Sequence, residues 1–297
     1  MALNKRNMSH LGRLALFAAA LSWGTSFVIL KNTLDSISTL YVLAFRFTGA
    51  AILMLPVAAK EFKKLDLRYL AGGIALGVML FFAYVFQTYG LYYTTPGKNA
   101  FLTATYCVLV PFLFWIFFRR RPDRYNVLAA LLCLLGIGLI SLDGLSIGIG
   151  DLLTLISGIF FAVHIVVIDR STPGRSPVML TMLQFVTAAV LSWISALLFE
   201  PFPTAVEPSA IMSIIYLCVV CTAISFFLQT FGQKYTPPAQ AAVLITLEAV
   251  FGAAISILFF DDEPELRVLI GFVVVFAAVL VSETKLQFLP KRSGKKE

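Results

Sequence analysis

Ten long apolar runs, separated by short polar breaks, restrict this sequence to very few folds. A membrane-spanning helix needs about 20 apolar residues, and each run is close to that length. The strands of a transmembrane barrel are shorter and alternate between apolar and polar residues, which these runs do not. The sequence therefore predicts an all-α integral membrane protein with ten transmembrane helices. The runs cover residues 14–30, 38–59, 69–91, 99–118, 125–142, 150–168, 177–199, 210–231, 239–260 and 266–283.

The overall composition supports this prediction. Of the 297 residues, 59% are hydrophobic and only 13% are charged, and the mean hydropathy is +0.89. A soluble domain carries about 25% charged residues, so lipid must surround most of this chain. The four cysteines lie within the apolar runs without the spacing of metal ligands, and we predict neither a metal site nor a cofactor.

Lysine and arginine residues distinguish the two sides of the membrane. If the N-terminus is cytoplasmic, 19 of them fall in cytoplasmic breaks and tails, whereas Lys31, Lys98 and Arg267 fall on the outer side. This is the positive-inside bias of membrane proteins. We therefore predict a multi-pass protein of the bacterial inner membrane with both termini in the cytoplasm. The net charge of +7 indicates topology and contact with anionic lipid of the bilayer, not binding of nucleic acid.

An internal repeat relates the two halves of the sequence. At an offset of 138 residues, Trp23 aligns with Phe161. At an offset of 142, the Gln-Thr-Tyr-Gly of residues 87–90 aligns with the Gln-Thr-Phe-Gly of residues 229–232. Four extra residues near the loop at 200–208 account for the change of offset. The repeat also excludes a cleaved signal peptide as the role of the first run, because that run has a counterpart in the second half.

The repeats are predicted to be inverted relative to each other. Each half contains five apolar runs, an odd number, so the second half must enter the membrane upside down. Basic residues 119–121 align with acidic residues 261–263, as expected for loops on opposite sides of the membrane. Inverted repeats are a transporter design in which the substrate lies near the midplane between the halves. The predicted domains are a first repeat at 1–142, a second at 150–285 and a basic cytoplasmic tail at 286–297.

Several short motifs carry a resemblance to a known family. They are Leu-Ser-Trp-Gly-Thr-Ser-Phe at 21–27, Arg46 in the second run, Gly-Asp-Leu-Leu at 150–153, Leu-Glu-Ala-Val-Phe at 247–251, and Glu263 with Gly271 beyond it. In their order and spacing the chain resembles the EamA-domain branch of the drug/metabolite transporter superfamily over essentially its whole length. The resemblance implies efflux or uptake of small metabolites, often amino acids, by a secondary mechanism.

Three ionisable residues lie inside the apolar runs, where insertion of such a side chain costs about 2.5–3.5 kcal/mol. Arg46 could hold a substrate carboxylate, or it could be a structural cation that caps backbone carbonyls or pairs with Glu248. Glu248 could bind a substrate amine, carry a coupling proton or pack against a helix break. His164 could relay protons or serve as a hydrogen-bonded structural group.

Polar and aromatic side chains at helical spacing extend this set of candidates. Such stripes either join helices or line a wet path, and their presence in repeat-equivalent runs favours a shared cavity with aromatic walls. The candidate substrate-binding residues are Trp23, Ser26, Arg46, Tyr84, Gln87, Thr103, Tyr106, His164, Gln229 and Glu248.

The sequence contains no Walker loop and no HExxH or GxSxG motif, so we predict neither a nucleotide-driven pump nor an enzyme. We predict a secondary transporter that exports a small organic metabolite, such as an amino acid, by alternating access coupled to an ion gradient. Its partners are the small-molecule substrate, the lipid bilayer and a coupling proton, and the chain is a monomer or a homodimer. The alternatives are a non-transporting membrane subunit, a membrane enzyme whose polar helix faces contact partners, and a lipid-linked phosphate flippase.

Overall fold

The structure, a computed structural model, describes residues 5–119, 121–141, 148–204, 206–259 and 265–285. The regular elements in these ranges are all helical, which confirms the predicted all-α class. The acidic break at 261–264, with Glu263, lies outside the described residues, as do Arg120 and the predicted basic tail at 286–297.

The helices follow one another through short connections. A 3₁₀ turn at Ala59–Lys64 extends α2, and a π-helical segment at Val219–Ile224 joins α9 to α10. The α-helices are α1 (Lys5–Thr33), α2 (Thr39–Ala58), α3 (Leu67–Tyr93), α4 (Pro96–Thr103), α5 (Tyr106–Phe118), α6 (Arg124–Ser141), α7 (Ile149–Ser171), α8 (Pro177–Phe199), α9 (Pro208–Cys218), α10 (Ser225–Tyr235), α11 (Pro238–Ile245), α12 (Leu247–Phe259) and α13 (Leu266–Thr284).

These helices form ten membrane spans. Eight stretches are long and apolar enough to cross a bilayer, and α6 and α13 contain the two shorter apolar helices. The fourth span consists of α4 and α5, the eighth of α9, the π-helical segment and α10, and the ninth of α11 and α12. The number of spans predicted from the apolar runs is therefore confirmed.

Capping and proline explain where several helices begin. The Asp66 side chain accepts a hydrogen bond of 2.7 Å from the backbone N–H of Tyr69, which satisfies one donor left free at the start of α3. A proline has no N–H, so it fits the first turn of a helix, where no intrahelical acceptor exists. Prolines occupy this position in α4, α8, α9 and α11, namely Pro96, Pro177, Pro208 and Pro238.

The two halves of the chain interleave instead of forming separate bundles. Helix α3 packs chiefly on α7 and α8, α1 on α10 and α12, α2 on α8, and α6 on α13. A Cβ atom added at Gly12 would lie 3.0 Å from the carbonyl oxygen of Gly232, and one added at Gly150 would lie 2.8 Å from that of Gly90. By the repeat offsets, Gly12 corresponds to Gly150 and Gly232 to Gly90. The same close helix contact is thus made twice, as a pseudo-twofold relation between the halves requires.

The fourth and ninth spans are both broken near the middle, between α4 and α5 and between α11 and α12. The Thr105 hydroxyl donates to the Leu102 carbonyl at 2.7 Å, and the Thr246 hydroxyl donates to the Val243 carbonyl at 2.6 Å. Such bonds from threonine back to the preceding turn compete with the backbone pattern and bend helices. The two breaks are repeat equivalents, and they set the level at which the candidate site is formed.

The eighth span departs from the symmetry. Its π-helical segment has no counterpart in the third span, where α3 continues as a regular α-helix. Within the segment, Thr222 Oγ1 donates to the Leu217 carbonyl five residues back, at 2.7 Å, and Ser225 Oγ does the same to Val220. Single-turn π-bulges frequently occur at functional sites, and this one contacts both α1 and α2.

Candidate functional site

A cavity lies between the two halves, where the broken fourth and ninth spans approach each other. About 400 Å³ of space lies between the surrounding atoms, including space open to solvent. Apart from Ser26, its lining residues are related in pairs by the repeat offsets, so the cavity lies on the pseudo-twofold axis. The pairs are Trp23 and Phe161, Phe27 and Ile165, Tyr84 and Phe226, Gln87 and Gln229, Thr103 and Ile245, and Tyr106 and Glu248.

A phenol and a carboxyl group meet at the centre of this cavity. The hydroxyl of Tyr106, at the start of α5, donates to Glu248 Oε1, near the start of α12, at 3.1 Å. Glu248 is only 6% exposed, and within the described residues no cation lies within 4.0 Å of its carboxylate. It is also the one acid among the described lining residues. A carboxylate at this depth without a cation is costly unless it is protonated or binds a positively charged ligand.

Arg46 lies behind the cavity wall, not in it. Its guanidinium is 1% exposed and stacks over the Tyr84 ring, with Cζ 4.5 Å from the ring centroid. Its Nη2 donates to Tyr84 Oη and to the Cys221 carbonyl, each at 3.1 Å, and Nε donates to Thr222 Oγ1. The alternative in which Arg46 pairs with Glu248 is wrong for the described structure, because these neutral partners surround the cation instead.

The π-helical segment binds both Arg46 and Trp23. The Cys221 carbonyl, inside the segment, accepts one hydrogen bond from Arg46 and another, of 2.8 Å, from Trp23 Nε1. Directly after the segment, Ser225 at the start of α10 bonds α1 a second time, through its hydroxyl and that of Ser22. Because Trp23 has already donated its only N–H, its indole offers the cavity an apolar face and no free donor.

His164 likewise lies behind the wall, on the side of the second repeat. Its Nε2 is 2.9 Å from Gln184 Oε1, and its ring packs edge-on against Phe226 with 6.0 Å between centroids. Gln184 is the repeat equivalent of Arg46, and Phe226 that of Tyr84. Each half therefore places a buried polar group behind an aromatic ring of the cavity, but only the first half makes that group a cation.

The two ends of the bundle differ in how well their buried polar groups are satisfied. Near the end where α3 stops, Asn99 Nδ2 donates to the Gln87 carbonyl at 3.1 Å and to Thr154 Oγ1 at 2.8 Å. Lys98 and Asp151 form an ion pair of 2.6 Å beside them. These contacts join α4 to α3 and α7, and at this end Asn99 Oδ1 is buried without a hydrogen-bond partner.

The opposite end, where α10 stops, has polar groups that lack partners. Both side-chain polar atoms of Gln233, Oε1 of Gln229 and Oγ1 of Thr236 are buried without a hydrogen-bond partner. Gln229 and Gln233 lie at i and i+4, hence on one face of α10, and Thr236 follows the end of that helix with an extended backbone. Buried polar atoms are nearly always bonded to protein or to water, so this face is suited to contact water.

Eight of the ten predicted site residues line the cavity, and Arg46 and His164 do not. The depth of Arg46 and His164 along their helices follows from counting residues. The sequence does not show that the rings of Tyr84 and Phe226 lie between these two residues and the cavity. The prediction also missed five lining residues. Three of the five could have been found by applying the repeat offsets to Trp23, Tyr84 and Thr103, whose partners they are. The missed residues are Phe27, Phe161, Ile165, Phe226 and Ile245.

A helical protein that spans a bilayer ten times and encloses a polar cavity between two inverted halves has the architecture of a membrane transporter. Comparison with known proteins agrees with this class. The model of the EamA-like transporter family matches residues 10–142 and 148–284. The chain therefore belongs to the EamA-like transporter family.

Relatives and a solved structure are consistent with this assignment. An uncharacterized transporter of Archaeoglobus fulgidus is 30% identical over 91% of this chain and 85% of its own length. An uncharacterized transporter of Bacillus subtilis is 25% identical over 92% of both chains. A protein of known crystal structure shares the fold with a TM-score of 0.79, at 17% identity over 92% of this chain and 98% of the other. The family and these names point to a transporter rather than an enzyme.

Proposed function

We propose that this protein is a secondary transporter that exports a small organic metabolite, an amino acid or a molecule of similar size, across the bacterial inner membrane. The observation that carries the proposal is the pairing of the cavity residues by the repeat. In transporters built from inverted repeats, the substrate site lies at the repeat interface, and movement of one repeat against the other exposes it to each side in turn. A cavity on the pseudo-twofold axis is in the right place for such alternating access.

The chemistry of the cavity supports an organic solute that is partly apolar and partly polar. Six of the thirteen lining residues are aromatic, and Gln87, Gln229, Thr103, Ser26 and Glu248 provide polar atoms. Pockets for small molecules are usually apolar with a few polar groups that fix orientation. An inorganic ion alone would leave the aromatic wall without a function.

We also propose that Glu248 couples transport to an ion gradient, most simply a proton gradient. Its carboxyl group is buried at the centre of the cavity and bonded to Tyr106, with no cation beside it in the described structure. Protonation removes the cost of burying the charge, whereas a positively charged group of the solute compensates for it. One carboxyl group can therefore bind either a proton or the amine of a solute, and this competition couples the movement of the solute to that of the proton.

The test is the flux of solute in proteoliposomes that contain only the purified protein and lipid. With an equimolar mixture of radiolabelled L-amino acids inside, an imposed proton gradient should drive release of at least one of them. The Glu248→Gln variant keeps the shape of the side chain and removes its charge, and it should fold yet lose gradient-driven flux. Glu207→Gln makes the same change at an exposed position of the loop before α9 and should transport like the wild type.

Each outcome separates the candidate functions. A non-transporting subunit would move no solute alone, and a flippase for lipid-linked phosphates would move labelled lipid instead of amino acids. Gradient-driven flux that is equal in Glu248→Gln and the wild type would contradict the proposed coupling role. Flux that persists after the proton and sodium gradients have both been collapsed would indicate facilitated diffusion.

A further inference from the structure

The buried guanidinium of Arg46 is bonded only to neutral groups. Its described partners are Tyr84, Thr222 and the Cys221 carbonyl, and its Nη1 is buried with no hydrogen-bond partner. Among the described residues, no carboxylate lies within 4.0 Å of it. An unpaired charge at this depth is expensive, and such residues usually mark a substrate or ion pathway. The described part of the chain thus keeps a positive charge beside the cavity without supplying its anion.

Tyr84 connects this charge to the cavity. A guanidinium has donors but no acceptor, so the Tyr84 oxygen must be the acceptor of the 3.1 Å bond from Arg46 Nη2. The Tyr84 O–H is then free to donate in another direction, and no described residue accepts a hydrogen bond from it. Since Tyr84 lines the cavity, its O–H is available to a solute. A cation that bonds to the phenol oxygen also makes that O–H a stronger donor.

The second repeat provides an internal comparison. At the equivalent positions it has Phe226 in place of Tyr84 and Gln184 in place of Arg46. There the Phe226 ring packs against His164, which is hydrogen-bonded to Gln184, so the fold accommodates this point without the hydroxyl and without the guanidinium. Only one side of the cavity has the donor and the cation, so the cavity is chemically directional.

We propose that Tyr84, polarised by Arg46, binds an oxyanion of the transported solute, a carboxylate or a phosphate. Tyr84 contacts the solute, and Arg46 is a positioning residue that acts through it. The oxyanion lies on the Tyr84 side, because an ionised Glu248 repels it from the Tyr106 side. The inference rests on the proposed function, since it names the chemical class of solute that the same cavity accepts.

Matched probes test this selectivity in the purified protein reconstituted in lipid nanodiscs. The carboxylate arm compares L-leucine and L-phenylalanine with their amides, leucinamide and phenylalaninamide, which keep the side chain and amine but lose the charge of the acid. The phosphate arm compares phenyl phosphate with phenol. Ligand that binds the native state raises the thermal midpoint, and the concentration dependence of the shift gives an apparent Kd. A charge-assisted hydrogen bond predicts a preference of roughly ten- to hundredfold for the acid over the amide.

The variants separate selectivity from structural damage. Tyr84→Phe keeps the ring and removes only the hydroxyl, as at Phe226, and it should reduce the amide-to-acid ratio of Kd values to near one without weakening binding of the amide. Arg46→Lys keeps a charge but loses the planar fork, and it should lower the ratio partially. Tyr93→Phe removes the hydroxyl of an exposed tyrosine at the end of α3, outside the cavity, and it should leave the ratio unchanged.

The possible results are distinct. Preference for phenyl phosphate over the carboxylates supports the proposal and identifies the oxyanion as a phosphate. A wild type that binds acids and amides equally well, or that binds no acid in either arm, overturns it. Equal loss of acid and amide binding in Tyr84→Phe also overturns it, because this is the effect of a structural role. Failure of the proposed function is a separate result, namely the absence of solute flux in proteoliposomes.

Discussion

The contact between α1 and α12 offers a test of the packing around Glu248. A Cβ atom added at Gly24 would lie 2.7 Å from Phe251 Cβ, 2.9 Å from the Gly252 nitrogen and 3.0 Å from the Glu248 carbonyl oxygen. A Cβ atom added on the other side of the same contact, at Gly252, would meet the Gly24 carbonyl oxygen at 3.1 Å and nothing else closer than 3.9 Å. The substitutions Gly24→Ala and Gly252→Ala therefore add one methyl group to the same interface in two different environments.

The two environments predict free-energy changes of opposite sign. Alanine in place of glycine within a helix gains about 1 kcal/mol from helix propensity. Overpacking against atoms that cannot move costs about 1–3 kcal/mol, and two of the three close atoms at Gly24 are backbone. We expect Gly24→Ala to be destabilising by about 0–2 kcal/mol. At Gly252 a single contact must relax by a few tenths of an ångström, so Gly252→Ala should be stabilising by up to about 1 kcal/mol.

Reversible unfolding in mixed detergent micelles with increasing SDS, followed by tryptophan fluorescence, measures both free energies. Trp23 lies one residue from Gly24 and reports on the site directly. The prediction requires that Gly24→Ala unfold at a lower SDS fraction than the wild type and Gly252→Ala at the same or a higher one. Equal stability of the two variants, or the reverse order, would refute the close approach of α1 to α12.

Three further outcomes are expected. Cysteines introduced in place of Arg121 and Glu265, which are both exposed, should react with a membrane-impermeant maleimide from opposite sides of the membrane if the repeats are inverted. Labelling of both from the same side would contradict this topology. A cysteine introduced at position 233 should react with a water-soluble thiosulfonate faster than one at the repeat-equivalent position 91. The reason is that Gln233 and its neighbours near the end of α10 have buried polar atoms without partners. Equal rates would show that water reaches both ends to the same extent. Lys98→Met should leave Asp151 without its ion partner, which lies at 2.6 Å. If the pair behaves as a buried one, the same SDS titration should show a loss of about 3–5 kcal/mol in the free energy of unfolding. A loss under about 1 kcal/mol would show that solvent screens the pair.

The spans and the repeat follow from the sequence because both depend on local composition and on self-similarity. Twenty apolar residues can cross the membrane only as a helix, and the offsets of 138 and 142 are visible without a structure. The prediction that Tyr106 and Glu248 occupy symmetry-related points needed nothing more, and the structure places them in hydrogen-bond contact.

Other features could not be predicted because they depend on how the helices are rotated and where they bend. The broken spans contain no proline or glycine at residues 104–105 or at 246, and the bends coincide with threonine hydroxyls that bond to the preceding turn. The π-helical segment likewise has no motif of its own. For the same reason the depth of Arg46 in its span could be predicted, but not its position behind Tyr84, which depends on the direction of both helices.

The interleaving of the helices has a consequence for biosynthesis. The main packing partners of α1, α2, α3 and α6 all belong to the second half of the chain, so they do not exist when the first half leaves the ribosome. Until then, Asn99 and other polar residues that end up buried face lipid or the insertion machinery without their final partners. The helices must therefore assemble late and together. A chain whose synthesis stops between the halves lacks the main packing partners of its first helices and cannot form a compact intermediate. Two separately synthesised halves could restore the protein only by inserting in opposite orientations and finding each other in the membrane.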